Sequence, residues 1–200
     1  LAAANIQLAT AVLLNMKERE RLDILTVTDK SGLVLLRTSN LSLSGDDRSG
    51  DELVRAVLER KEPVTATAIL SAEELRKESP PLAERAYFKF IETPKAKPRP
   101  ETEETAGMML QAAVPIFDYQ NRFLGVVYGG ILLNRNFEIV DKIKQTVFQD
   151  VKYKGSDIGT ATIFQNDLRV ATNVRNRDGS RAVGTRAAED VYRQVVEEGK

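Results

Sequence analysis

Arg85, Tyr87 and Lys89 are spaced two residues apart and together offer two cations and one hydroxyl group. The segment 85–91 (RAYFKFI) has the composition of a β-strand, in which alternate side chains point to one side of the sheet. A strand here would present the three polar groups on one face. Such a set suits a small carboxylate or a similar anion, and the competing interpretation is a solvent-exposed polar face.

Met109 and Gln111 extend this candidate site onto the next predicted strand, 107–117, where both residues share one face. The connecting segment 92–105 holds three of the seven prolines, which excludes a helix or a central strand. We therefore expect a loop that either covers the pocket or extends away from it as a disordered excursion.

The composition limits the chemistry that the 200 residues can perform, because they include neither cysteine nor histidine. Disulfides, thiol nucleophiles, Cys-based zinc sites and histidine-dependent catalysis are thereby excluded. Lys and Arg number 29, as do Asp and Glu, so there is no excess of basic charge for nucleic-acid binding. We predict no catalytic residues, no metal and no cofactor. An enzyme that uses carboxylates alone is the catalytic alternative.

The elements that must position these residues form an α+β pattern. The apolar stretch of the first helix is about 14 residues long, shorter than the roughly 20 that span a membrane. Because the chain opens on a leucine, we expect it to be a segment of a longer protein. The predicted elements are a long helix over 1–22, a hairpin over 24–29 and 33–38, helices that open with capping boxes at Ser49–Glu52 and Ser71–Glu74, strands over 107–117 and 122–133, and a helix from Asn134 or Asn136 to about Phe148.

The order of elements repeats weakly in the last part of the sequence. A hairpin over 160–164 and 168–174, a polar loop and a helix over 188–198 follow the order seen near the amino terminus. Thr38 corresponds to Thr172 in this repeat. The second copy ends where further strands would begin, so we expect one complete unit followed by the first half of another.

Two segments carry a family resemblance, AAVPIFDYQNRFLGVVYGGILLNRNFEIVDKI (112–143) and GTATIFQNDLRVATNVRNRDGSRAVGT (159–185). They resemble the double or tandem form of the extracytoplasmic Cache sensor domains of bacterial histidine kinases, chemoreceptors and diguanylate cyclases. The resemblance implies a PAS-like fold with a long N-terminal helix and a five-stranded antiparallel sheet, followed by a partial second PAS-like unit. The predicted domains are an N-terminal helix (1–22), a membrane-distal PAS-like unit (23–133), a connecting helix (134–154) and a truncated second unit (155–200).

The resemblance also implies which residues contact a ligand, because the membrane-distal unit of Cache domains holds a small molecule against its sheet. The amino-acid-binding form of the family carries a Trp that is missing from ERAYFKF, which favours a small carboxylate over an α-amino acid. Mapped by position, the implied ligand-binding residues are Arg85, Tyr87, Lys89, Met109, Gln111 and Tyr128.

We therefore predict the periplasmic ligand-sensing domain of an inner-membrane signalling receptor, such as a two-component histidine kinase or a chemoreceptor. It would bind a small carboxylate and transmit a conformational signal without being an enzyme itself. The resemblance further implies membrane anchoring by segments outside this sequence and homodimer formation through the N-terminal helix. The alternative is a structural, dimerisation or protein-interaction module with no small-molecule ligand.

Overall fold

The structure is a computed structural model that describes residues 3–149, 151–153, 156–157 and 159–200. A π-helix at Arg193–Glu197 continues the last α-helix. The helices are α1 (Ala3–Arg19), α2 (Glu52–Arg60), α3 (Ala72–Glu78), α4 (Pro80–Ala86), α5 (Phe137–Phe148) and α6 (Glu189–Tyr192). The strands are β1 (Ile24–Asp29), β2 (Val34–Arg37), β3 (Val64–Leu70), β4 (Phe88–Lys89), β5 (Glu103–Glu104), β6 (Gly107–Phe117), β7 (Phe123–Leu132), β8 (Lys152–Tyr153), β9 (Ser156–Asp157), β10 (Thr162–Gln165) and β11 (Leu168–Thr172).

The chain forms two compact units, each built from two separate segments of sequence. The first unit consists of Leu1–Glu84 and Ala106–Leu132, and the second of Arg85–Thr105 and Leu133–Lys200. The domain limits expected from the sequence stay a prediction. The start of the expected first helix at residues 1–2 and the expected boundary at 154–155 lie outside the described residues.

A five-stranded antiparallel sheet forms the framework of the first unit, in the order β2-β1-β7-β6-β3. Aspartates shape both of its tight turns. Asp29 accepts hydrogen bonds from the backbone N–H groups of Ser31 and Leu33, and Asp118 accepts from those of Gln120 and Arg122. The predicted fold class, a long N-terminal helix with a five-stranded antiparallel sheet, is confirmed.

One face of this sheet, called the inner face below, carries the core of the first unit. Residues that pair across β6 and β7 point to the same side, and the pairs Met109–Leu132 and Ala113–Tyr128 are buried. Helix α2 contacts β3, β6 and β7. Its apolar side is the one expected from the sequence, with buried Leu53, Val54 and Val57.

The edge strand beside β6 is β3, and the prediction of a strand over 85–91 is wrong for most of that segment. Pro80 occupies the first position of α4, where a missing N–H costs nothing, and this helix continues through Arg85 to Ala86. Only β4 is extended, and it pairs with β5 instead of with the five-stranded sheet. The true edge strand, VTATAIL, alternates β-branched and small residues.

The two predicted capping boxes have different outcomes. Ser71 and Glu74 form both hydrogen bonds of a capping box, as predicted. The capping box expected at Ser49 is wrong, because the N-cap of α2 is Asp51. Its carboxylate accepts hydrogen bonds from the N–H groups of Leu53 and Val54, at 3.1 and 3.0 Å. The Ser49 N–H donates to Asp47 in the preceding turn.

The second unit is organised around the β10–β11 hairpin, which the sequence predicted. Leu168 and Val170 pack against Phe88, and Val140 of α5 packs against two alanines of the hairpin region. The proline-rich loop 92–105 makes two ion pairs with other segments of this unit: Arg99 donates to Asp167 of the hairpin turn at 3.1 Å, and Lys97 donates to Glu197 at 2.8 Å. The described loop is therefore held by ion pairs within its own unit.

Candidate ligand-binding site

A buried carboxylate, Glu78 at the end of α3, joins three strands on the inner face. It accepts hydrogen bonds from the Tyr128 hydroxyl at 2.6 Å, from Thr26 Oγ1 at 2.7 Å and from Arg37 Nε at 3.3 Å. All four side chains, here called the Glu78 hub, are at most 2% exposed. Burial, followed by the negative charge of Glu78, raises the pKa of Tyr128, which keeps the hydroxyl protonated as a donor.

Arg37 links this hub to the loop after β2. Its two terminal nitrogens donate to the two Asp46 carboxylate oxygens at 2.6 and 2.8 Å, the bidentate geometry that favours Arg. Burial alone would lower the pKa of Arg37, but the Asp46 hydrogen bonds and the charge of Glu78 raise it. The guanidinium is therefore a fixed, fully buried cation held by two carboxylates.

This pairing predicts a loss of stability in acid. The Arg37 hydrogen bonds lower the pKa of Asp46 below its ordinary 3.8, so the unfolded chain takes up a proton at higher pH than the folded chain does. Asp46 should stabilise the fold above about pH 4, and that contribution should disappear as the pH falls through the folded-state pKa. Urea unfolding at about pH 6 and about pH 3 should show a smaller acid loss for Asp46→Asn than for wild type. Glu59→Gln, which changes an exposed carboxylate, is the control. Equal acid losses in wild type and Asp46→Asn would contradict the role given to Asp46.

Arg48 joins the amino-terminal ends of α2 and α3. It donates to Asp51 at 2.7 Å and lies 3.5 Å from the Glu74 carboxylate, and its guanidinium carbon is 6.0 Å from the centre of the Tyr128 ring. Its side chain is 90% buried, and its Nε has no hydrogen-bond partner among the described residues. The loop that carries Arg48 is thus tied to both helices beside the inner face.

A pocket of about 440 Å³ opens between the start of α2, the start of α3 and the edge strand β3. Five consecutive β3 residues line it, so the backbone edge of the strand forms one wall, with peptide groups that β6 does not use. The register sets Ala66 and Ala68 beside Gln111 and Met109, and these small side chains leave space on the inner face. We call this cavity the inner-face pocket; its lining is Gly50, Asp51, Glu52, Leu53, Ala66, Thr67, Ala68, Ile69, Leu70, Glu74 and Gln111.

Gln111 is the polar side chain that the strands direct into the inner-face pocket. It is 5% exposed, and its amide makes no hydrogen bond to another described residue. Its cross-strand neighbours are Ala66 on one side and Gly130 on the other. A Cβ on Gly130 would stand 3.0 Å from Gln111 Cγ, so this glycine provides the room that the glutamine occupies. The amide is not among the fully buried side-chain groups that lack a partner in the described residues, so it reaches the open space of the pocket, where a ligand can bind it.

The six residues predicted to bind ligand fall into both units. Met109, Gln111 and Tyr128 share the inner face of the first unit, where Met109 is fully buried and Tyr128 belongs to the Glu78 hub. Arg85, Tyr87 and Lys89 belong to the second unit. The predicted sharing of one strand face is wrong for these three, because Arg85 is helical, and the exposed Tyr87 donates a hydrogen bond to Glu103 at 2.9 Å.

Lys89 lines a cleft of about 480 Å³ within the second unit, together with Arg99 and Arg186 and with two glutamates, Glu92 and Glu101. Both arginines bind Asp167, which offsets part of their charge. Among the described residues, Lys89 makes no ion pair. We call this cavity the basic cleft because Lys89, Arg99 and Arg186 line it, although the two arginine side chains are only 22% and 12% exposed.

Sequence reasoning missed Glu78, Arg37 and Arg48, the charged residues at the centre of the first unit. AEELRKE looks like a solvated helix, and nothing local marks the last glutamate as buried. One signal was available for Arg37, because it ends a strand whose other residues are apolar. Over the described part of the chain, there is no group of three or more acidic residues placed to hold a metal ion, and no helix long and apolar enough to cross a membrane.

Comparison with protein families gives one match. The family described as single Cache domain 3 matches residues 131–200, a range that lies almost wholly in the second unit. No curated protein matches the chain.

Several solved structures are similar at low identity. The sensor domain of Escherichia coli DcuS is 19% identical, with 64% of this chain and 68% of that chain covered and a TM-score of 0.39. An extracellular ligand binding receptor from Desulfohalobium retbaense is 18% identical, with 94% and 27% covered and a TM-score of 0.47, so the chain spans about a quarter of that receptor. The PAS domain of Bordetella pertussis BvgS is 14% identical, with 72% and 96% covered and a TM-score of 0.36. The resemblance to Cache sensor domains that the sequence predicts is confirmed by this family match, which is limited to residues 131–200, about a third of the chain.

Proposed function

We propose that this chain is the ligand-sensing part of a membrane-bound signalling receptor and that the inner-face pocket of the first unit binds the ligand. The observation that carries the proposal is Gln111, a side chain that is 95% buried, lines the pocket and has no partner among the described residues. A pocket of about 440 Å³ is within the range that small molecules occupy in proteins. The Cache match over residues 131–200 supports a sensory role.

Helix α3 provides the route by which binding would alter the sheet. Glu74 lines the pocket, and Glu78, one helical turn later on the same side, holds the Glu78 hub. A ligand that contacts Glu74 competes with Arg48 for the same carboxylate. The resulting shift of α3 would change the contacts of Glu78 with β1, β2 and β7, provided that the ligand prefers one of the two arrangements.

The wider setting of the proposed sensor follows from the Cache resemblance. The domain would lie on the periplasmic side of the inner membrane, and a histidine kinase or chemoreceptor module would receive its signal. It would act by binding, without catalysis. We also propose that the chain forms a homodimer through α1, because the apolar side chains of Leu8 and Val12 are 68% and 55% exposed. Sedimentation equilibrium tests this proposal.

A small carboxylate is the ligand class that the sequence favours, and the basic cleft of the second unit is the candidate site for it. Lys89, Arg99 and Arg186 line that cleft. Butyrate would be expected to shift the backbone amide resonances of residues 89–93, and Lys89→Gln would be expected to weaken this binding. An interaction module with no small-molecule ligand is the alternative function.

A thermal-shift screen tests the proposed function. A panel of small amines, carboxylates, alcohols and sugars is added separately to the chain and to Gln111→Met. At a concentration about 100-fold above its Kd, a true ligand should raise the Tm of the wild type by about 5 °C or more. The rise should be much smaller in Gln111→Met and unchanged in the surface control Gln145→Leu. A panel without any effect, or equal shifts in all three proteins, would favour the interaction module.

A further inference from the structure

The charged groups of the inner-face pocket are acidic. Asp51, Glu52 and Glu74 line it, and no Lys or Arg is among its lining residues. Arg48 pairs with two of these carboxylates, Asp51 and Glu74. Glu52 makes no ion pair with another described residue. One guanidinium therefore faces three carboxylates, and the pocket retains negative charge.

The amino-terminal end of α2 does not make the pocket attractive to anions. A helix amino terminus favours anions through its free N–H groups. Here the N–H groups of Leu53 and Val54 already donate to Asp51, at 3.1 and 3.0 Å. The N-terminal end of the helix is thus neutralised by its own cap, and Glu52 in the first turn adds a further negative charge.

Two other groups of the pocket can accept hydrogen bonds from a ligand. Gln111 lines the pocket, and its amide oxygen accepts no hydrogen bond from a described residue. The free edge of β3 offers backbone carbonyls, together with N–H groups, along the other wall. An ammonium group has three donors and no acceptor, so it matches carboxylates, an amide oxygen and carbonyls together.

From these observations we infer that the inner-face pocket selects small molecules that carry a protonated amine, and this inference rests on the proposed function. A free carboxylate would meet three like charges there, in a site partly shielded from water. The small carboxylate ligand was predicted from Arg85 and Lys89, and these two residues lie in the second unit.

Three probes of equal length, n-butylamine, 1-butanol and butyrate, test the charge preference directly. Each is titrated into the ¹⁵N-labelled chain at constant ionic strength while the backbone amides of Glu52, Thr67 and Gln111 are followed. We expect n-butylamine to bind about tenfold more tightly than butyrate, with the alcohol in between. Glu52→Gln should weaken n-butylamine binding about threefold to fivefold, as for a partly exposed ion pair.

Glu59→Gln is the matched control, because Glu59 is an exposed glutamate of the same helix outside the pocket. It should change the affinity for n-butylamine by less than about 1.5-fold. Equal effects of the two substitutions would overturn the inference. If butyrate or 1-butanol shifts the same amides at least as strongly, the amine preference is wrong while the proposed function stands. If none of the three probes shifts them, the amine preference is wrong, and the proposed function fails as well when the wider thermal-shift panel also has no effect.

Discussion

Glu78→Leu should lower the free energy of unfolding by about 3–5 kcal/mol, as expected when one partner of a buried ion pair is removed. The substitution takes the acceptor from Thr26 and Tyr128 and leaves Arg37 Nε, in a fully buried guanidinium, without its carboxylate. Asp46 still binds the other two nitrogens of Arg37, so the charge stays paired on one side only. Urea titration monitored by circular dichroism measures the change.

Glu73→Leu is the appropriate control on the same helix. Glu73 is 75% exposed in its side chain and pairs with Lys77 one turn later. Exposed pairs of this kind contribute little to stability, so this variant should remain close to wild type. If the two substitutions cost the same, Glu78 does not join the three strands as described.

Gln111→Met should separate ligand binding from stability. Methionine has nearly the length of glutamine but no amide, so the variant removes a polar group that lines the pocket and has no partner among the described residues. We expect the free energy of unfolding to stay within about 1 kcal/mol of the wild-type value. Affinity for the ligand should fall about 10- to 100-fold, because a ligand donor or acceptor is then left unpaired in the pocket.

Isothermal titration of wild type and Gln111→Met with the compound that gives the largest thermal shift measures this loss. Met109→Leu serves as the control for a change on the same strand face, since Met109 is fully buried and carries no hydrogen-bonding amide. A Gln111→Met variant that loses stability but binds normally would mean that the amide supports the fold and not the ligand.

The strands of the sheet were predictable where the local sequence marks their two ends. The limits of β6 match the predicted 107–117, because the proline-rich segment 92–105 precedes the strand and the turn residues 118–121 follow it. The error at the edge strand has a clear physical origin. RAYFKFI is richer in aromatic residues than VTATAIL, so β-propensity alone favours RAYFKFI as the edge strand. Pro80, however, starts a helix that extends into this segment.

The candidate site was predictable only for residues on a regular strand. Gln111 and Met109 were found because alternation gives their shared face, and Tyr128 through the family resemblance. Glu78 and Arg37 are 41 residues apart in sequence and meet only in the folded unit. The sequence around each is compatible with an exposed charge, and burial is decided by a tertiary partner that local patterns do not show.

The side-chain amide of Gln111 provides the most direct test of ligand binding in the inner-face pocket. Its ¹H–¹⁵N resonance can be assigned as the signal that is lost in Gln111→Met and followed while the best compound of the thermal-shift screen is added. We predict a saturable shift with the same Kd as in calorimetry, accompanied by shifts of the Glu52 and Thr67 backbone amides. An unchanged Gln111 signal, with shifts confined to residues around Lys89, would contradict the account and place binding in the second unit.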